Sequence, residues 1–203
     1  MRIWSLILSG AIFLVFLFQC FFPDITQSFS LVSSLVLQEP WRVLTHVFVH
    51  SGLLHVSSNL FALLIFGFIL ESTTNSRVFL SVFFASAVVS SLGDILFYSH
   101  TIGASGAIFG ILGCLAVLRP KTLVWVFGVP MYLIFGIFIW ASLDMLGMFY
   151  PDNIAHASHL FGMLSGIVAG IKLRKKFPEP KKPERIKIPE SELEEWERKW
   201  FKL

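Results

Sequence analysis

The sequence predicts an all-α polytopic membrane protein with six transmembrane helices and a long interfacial first loop. Three observations carry this. The first is composition. The chain has 203 residues, 55% of them hydrophobic and only 14% charged, where a soluble domain has about a quarter charged. Its mean hydropathy is +0.75. Residues 172–203 hold 11 basic and 7 acidic side chains, which leaves 5 and 6 for residues 1–171. So few charges cannot cover a soluble globule of that size, so lipid must solvate it. Disordered chains, collagen, secreted disulfide scaffolds and soluble enzymes are excluded on the same ground. The second observation is a set of six apolar segments, each near the roughly 20 residues a bilayer requires. The third is the placement of the basic residues. With six spans, Arg2, Arg77, Arg119, Lys121 and the tail share one side and Arg42 alone faces the other, as the positive-inside rule prefers.

The elements follow in order. Segment 3–22 ends in Phe21-Phe22-Pro23 rather than a small-residue cleavage site, so it reads as a spanning helix and not a signal peptide. Loop 23–52 carries Pro40, Trp41 and Phe48 and is expected at the outer interface. Segments 53–70, 78–98, 103–118, 123–148 and 156–173 complete the spans. Lys172, Arg174, Lys175 and Lys176 stop the last helix by snorkelling. The chain therefore divides into a membrane domain, 1–173, and a basic cytoplasmic tail, 174–203. Pro178, Pro180 and Pro183 predict an extended 177–188. Residues 189–203 form a short amphipathic helix with Leu193, Trp196, Trp200 and Leu203 on one face. A basic tail beside a membrane meets anionic lipid rather than nucleic acid. Cys20 and Cys114 lie in apolar stretches and read as small core residues. The expected location is the cell (inner or plasma) membrane, with both termini cytoplasmic.

Polar groups inside spans are costly and need a reason. Helices two, four and six all run from outside to inside, and each opens on a polar cluster: His55 to Asn59, Gly103-Ala-Ser105-Gly106, and His156-Ala-Ser-His159. Three clusters from distant sequence thus share one depth. All six histidines fall in outer loops or outer helix ends. Taken singly, such a serine bonds its own helix carbonyl, and such a histidine or asparagine serves as interhelical glue. The small residues join them. Gly106 and Gly110 on helix four, and Gly162, Gly166 and Gly170 on helix six, let the two helices approach. His159 shares the glycine face, so close contact brings it to Ser105. A serine hydroxyl with a neutral histidine as base suffices for nucleophilic chemistry. Asn59 and His55, one turn apart, and the Ser105 backbone N–H can supply oxyanion donors.

Taken together, these motifs resemble the rhomboid intramembrane serine proteases. The matching pieces are Trp41-Arg42, Thr45-His46 with His50, His55-x-x-x-Asn59, Gly67-x-x-x-Glu71, Gly103-Ala-Ser105-Gly106 and His159-x-x-Gly162-x-x-x-Gly166. They occur in the family's order over about residues 41–170. The resemblance implies a minimal six-helix rhomboid-like bundle that cleaves transmembrane substrate proteins near the outer face. It implies Ser105 as nucleophile and His159 as general base, a dyad without an acid, with Asn59 and His55 lining the oxyanion hole. No cofactor and no metal are implied. Trp41-Arg42 matches a structural, membrane-seated loop motif, and Glu71 a structural acid that could pair with Arg77. Residues 147–155 match the cap loop and helix five the substrate gate. Three positions depart from the family. Phe109 stands where Tyr is common against the catalytic histidine, Phe161 where a small residue is common, and Asn75 where Gly is common.

Rival readings use other residues. His156 is a second candidate base, one turn nearer the surface than His159. His46 and His50 have the spacing of a metal pair, without the HExxH of a zinc peptidase. Asp94 and Asp144 could form an aspartyl dyad, but Ser91-Leu-Gly93-Asp94 lacks the first glycine of GxGD, and both acids read as structural or water-facing. A non-catalytic membrane-protein binder, a chaperone-like protein or a small channel would need no Ser105–His159 pairing.

Overall fold

The computed structural model describes residues 3–150, 152–180 and 189–201. A helix lies in each of the six apolar segments. α1 is Trp4–Phe21. α2 (Asp24–Phe29) and the single turn α3 (Arg42–Thr45) lie in the first loop. α4 (Leu53–Ala62) continues through a π-turn at Leu63–Gly67 into α5 (Phe68–Thr73), so Leu53–Thr73 forms one 21-residue rod. α6 is Ser76–Phe97, α7 Ser105–Leu118, α8 Leu133–Gly147 and α9 His156–Leu173. Among these, Trp4–Phe21, Leu53–Thr73 and Ser76–Phe97 are long and apolar enough to cross a membrane, and α7 and α8 are shorter apolar helices. α10 (Glu190–Phe201) is amphipathic, with acids in its first turn and Arg198 and Lys199 in its last, the order the helix dipole favours. Residues 181–188 of the predicted extended stretch, and Leu203 of the predicted tail face, lie outside the described residues.

One predicted segment is corrected. Residues 123–148 are not a single helix. Their first part is an antiparallel hairpin of β3 (Leu123–Val126) and β4 (Val129–Tyr132), which pairs Leu123 with Tyr132 and Val126 with Val129. The turn is Phe127-Gly128, both at positive φ, 50° and 79°, as a two-residue hairpin turn requires. Alternation in β3 buries Val124 and Val126 and exposes Leu123 and Trp125. Pro130 is incompatible with a helix interior but fits this short two-stranded ribbon. A second expectation also changes: Cys114 is buried, but Cys20 is exposed on α1.

α7 is the central helix. Its sequence SGAIFGILGCLAVL is apolar all round, and most of its residues are buried, as expected of a helix with neighbours on every side. At 14 residues it is about 21 Å long, short of a hydrocarbon layer of about 30 Å. Glycines on α7 and α9 set its distance to α9 and α6. A Cβ at Gly162 would overlap the Gly106 carbonyl, one at Gly166 the Gly110 carbonyl, and one at Gly113 the Met163 carbonyl. A Cβ at Gly110 would overlap the Ser86 side chain of α6.

The first loop is anchored from inside. Buried Arg42 donates from Nη1 to the carbonyls of Gln27 (2.7 Å) and Ser30 (2.6 Å) and pairs with Glu39. Thr45 Oγ1 donates to Phe29 O at 2.9 Å. Trp41 is exposed beside it. β1 (Leu31–Val32) pairs with β2 (His100–Thr101), and Gly103 N donates to His46 O at 2.9 Å. The loop is thereby tied to the segment that precedes Ser105. At the other end of the rod, Glu71 is fully buried and accepts from Trp4 N, Ser5 N, Ser5 Oγ and Ser76 Oγ at 2.7–3.1 Å. The start of α1 and Ser76, rather than Arg77, are its bonded partners. Asn75 caps α6 by accepting from Val78 N at 3.0 Å, work that a glycine there could not do.

Candidate active site

The site is built at the starts of α4, α7 and α9. Gly103 sits at φ +114°, and a Cβ there would lie 2.7 Å from the His55 ring. Only glycine makes that turn while leaving the imidazole in place. Ala104 then opens α7, and Ser105 stands among the first N–H groups of a helix, which lack intrahelical acceptors. The Ser105 hydroxyl lies 2.9 Å from His159 Nε2. Phe109, one turn on, stacks flat on the His159 ring with centroids 4.2 Å apart and planes 1° apart. The ring contact expected of a tyrosine at this position is therefore kept, without the hydroxyl.

His55 and Asn59 line a cavity of about 860 Å³ together with Ser105, His159, Tyr98 and the loop residues Asp152–Ala155. Ser51 N donates to His55 Nδ1 at 3.4 Å, and Ser51 Oγ lies 3.0 Å from it. With Nδ1 accepting, a neutral ring carries its proton on Nε2. Asn59 Nδ2 donates to its own helix at His55 O, 2.9 Å away, and an amide keeps a second N–H beyond that bond. Tyr98, which sequence reasoning did not single out, accepts from Ala157 N at 3.1 Å and so fastens the end of α6 to the start of α9.

The rival residues fall elsewhere. His46 Nδ1 donates to Arg42 O at 3.0 Å. His50 is fully buried and packs edge-on against His55, centroids 4.9 Å apart. Asp94 accepts from Ser158 Oγ at 3.3 Å, with His46 Nε2 at 3.9 Å, whereas Asp144 faces His156 and His159. The two aspartates thus serve different partners and do not share a site. Burial pushes His46 and His50 down from 6.5 to about 4. They fold neutral, and the unfolded chain takes up their protons first. Their contribution to stability is complete above pH 6.5 and is lost as pH falls toward about 4. As pH falls across that window, the Tm of the wild type in detergent micelles is expected to drop relative to that of His50→Gln, and parallel profiles would contradict it.

A carboxylate completes the arrangement, where the resemblance implies none. Asp144 Oδ1 accepts from His159 Nδ1 at 3.0 Å and from His156 Nδ1 at 2.7 Å. His156 Nε2 in turn faces Asp152 in the α8–α9 loop at 3.0 Å, and the bond from His156 holds the exposed Asp152 carboxyl below its usual range. The residue taken as a rival base therefore bridges two acids and does not reach toward Ser105 by any described bond. Among the described residues, Asp144, His156 and His159 also bring one ligand atom each to within 4.8 Å of one another. Both Nδ1 atoms are already engaged with Asp144, and His159 Nε2 with Ser105, so the group as it stands is a hydrogen-bond network. The signal available in the sequence was an ionisable group at the end of an otherwise apolar helix; its partners lie on another helix and no spacing rule reaches them.

Fold and site together define a helical integral membrane protein carrying a serine–histidine pair in the wall of a cavity of about 860 Å³. A family model, the rhomboid domain, matches residues 37–176, and the chain belongs to the rhomboid family. It is 33% identical to the rhomboid protease GluP of Bacillus subtilis, over 70% of this chain and 28% of GluP. It is 28% identical to the rhomboid protease GlpG of Haemophilus influenzae, over 68% of this chain and 73% of GlpG. It is 31% identical to the putative rhomboid protease YdcA of Bacillus subtilis, over 64% and 65%. The chain thus spans little more than a quarter of GluP and about two-thirds of YdcA.

Proposed function

We propose that the protein is an intramembrane serine endopeptidase that cleaves transmembrane substrate proteins near the outer membrane face, with Ser105 as nucleophile and His159 as general base. The observation that carries this reading is the 2.9 Å separation of Ser105 Oγ and His159 Nε2, within the reach proton transfer requires. Relatives named as rhomboid proteases support it. Oγ attacks the scissile carbonyl carbon as its proton passes to Nε2, and the carbonyl pair moves to oxygen. His55, Asn59 and the Ser105 N–H stabilise that oxyanion. His159 returns the proton to the leaving amine, and water from the cavity releases the acyl group by the same steps. Six crossings with both termini cytoplasmic, in the cell membrane, fit the basic residues on one side. In that topology the starts of α4, α7 and α9 face outward. A substrate helix must unwind there to expose a peptide bond, so helix-breaking or small residues near its outer end are expected. The binder or channel reading needs no such pairing and is disfavoured by it.

A serine-reactive fluorophosphonate applied to the purified protein tests this. Labelling at Ser105 that disappears in His159→Ala is expected. A folded protein that takes no label would overturn the hydrolase reading in favour of a binding role.

A further inference from the structure

We propose that Asp144 is a positioning residue of this site: it takes the Nδ1–H of His159, fixes the tautomer and in-plane orientation of the ring, and steadies the imidazolium formed when Ser105 gives up its proton. This rests on the hydrolase reading above.

Asp144 is buried near the end of α8, in the apolar sequence LIFGIFIWASLDMLG, and an ionisable group there must be paired. Among the described residues, its Oδ1 is engaged by the two histidines alone and its buried Oδ2 has no hydrogen-bond partner. The histidines therefore determine where the carboxylate points.

A neutral imidazole has one N–H. If His159 Nε2 accepts the Ser105 proton, the N–H must be on Nδ1, and that atom lies 3.0 Å from Asp144 Oδ1. Phe109 from α7 sets the plane of the ring, and Asp144 from α8 sets its rotation within that plane. When the serine Oγ–carbon bond forms, the hydroxyl proton moves to Nε2. The Nδ1 proton stays on the ring, and Asp144 remains ionised beside the new cation. Among the described residues, the other polar or charged groups facing His159 are the Ser105 hydroxyl, His55 from α4, His156 one turn away, and Asp152 beyond it. A purely structural role would require only the shorter bond to His156, which ties α8 to α9 without touching the base.

The test compares wild type, Asp144→Asn and Ser105→Ala as full-length proteins in proteoliposomes with a transmembrane reporter. An asparagine can present an N–H to Nδ1 and so force the proton onto Nε2. Asp144→Asn is expected to lower kcat on the order of 100-fold with KM unchanged. Wild-type kcat in Asp144→Asn, or a change in KM alone, overturns the inference while an inactive Ser105→Ala leaves the hydrolase reading standing. Full cleavage by Ser105→Ala overturns the reading itself. Should Asp144→Asn fail to fold, ¹⁵N-histidine spectra of the wild type decide. The signal absent from His159→Gln must report the Nδ1–H tautomer, and an Nε2–H tautomer overturns the inference.

Discussion

Ser105→Ala is expected to lower the turnover of a transmembrane reporter by about 10⁶-fold, with the thermal midpoint of the protein nearly unchanged. The reason is local. Ser105 Oγ is the group that bonds His159 Nε2, and a methyl group in its place offers neither nucleophile nor proton. The backbone turn that presents it depends on Gly103 at φ +114°, which the substitution does not touch, so the fold should persist. His159→Ala is expected to cost about as much, and the double variant little more than either alone, because the two residues act as a unit. Initial rates over a range of reporter density would measure this. Cleavage by Ser105→Ala at the wild-type rate would sink the nucleophile assignment. Residual turnover above background would report what His55, Asn59 and the Ser105 N–H achieve without covalent catalysis.

Much of this site was legible in the sequence because its parts obey short-range rules. His159, Gly162, Gly166 and Gly170 share one helix face by spacing alone, and the carbonyls of Gly106 and Gly110 do press against Gly162 and Gly166. The common depth of the three polar helix starts follows from counting crossings. Asp144 was visible as an anomaly, but its role depends on how α8 rotates against α9, and that is set by tertiary packing. The hairpin at Leu123–Tyr132 was missed for a different reason. An apolar run of β-branched and aromatic residues beside a helix satisfies a hydropathy window whether it is helix or strand. Gly128 and Pro130 were the available clues, and they outweigh hydropathy because they act on backbone geometry. Cys20 shows a third limit: on a lipid-facing helix an apolar residue need not be buried, since lipid and core make the same demand on composition.

That equivalence has a consequence for what holds the helices together. Apolar burial gives little preference for helix over lipid, so close backbone approach must carry more of the specificity. Gly162→Ala is therefore expected to destabilise the protein by about 3 kcal/mol or more, at or beyond the usual range for overpacking. The added methyl group would overlap the carbonyl of Gly106 on α7, which is backbone and cannot rotate aside. Relief requires α9 to move away from α7, and His159 lies one turn from residue 162 on α9. The same displacement would stretch the Ser105–His159 contact, so fluorophosphonate labelling should fall together with stability. Gly10→Ala is the matched control. Among the described residues, no atom outside its chain neighbours and its own helix backbone lies within 4 Å of a Cβ built there, and within α1 alanine should stabilise by about 0.5–1 kcal/mol. Unfolding in mixed micelles would measure both. An unchanged midpoint in Gly162→Ala would mean that α7 and α9 can separate freely, and the glycine face would then not be what brings His159 to Ser105.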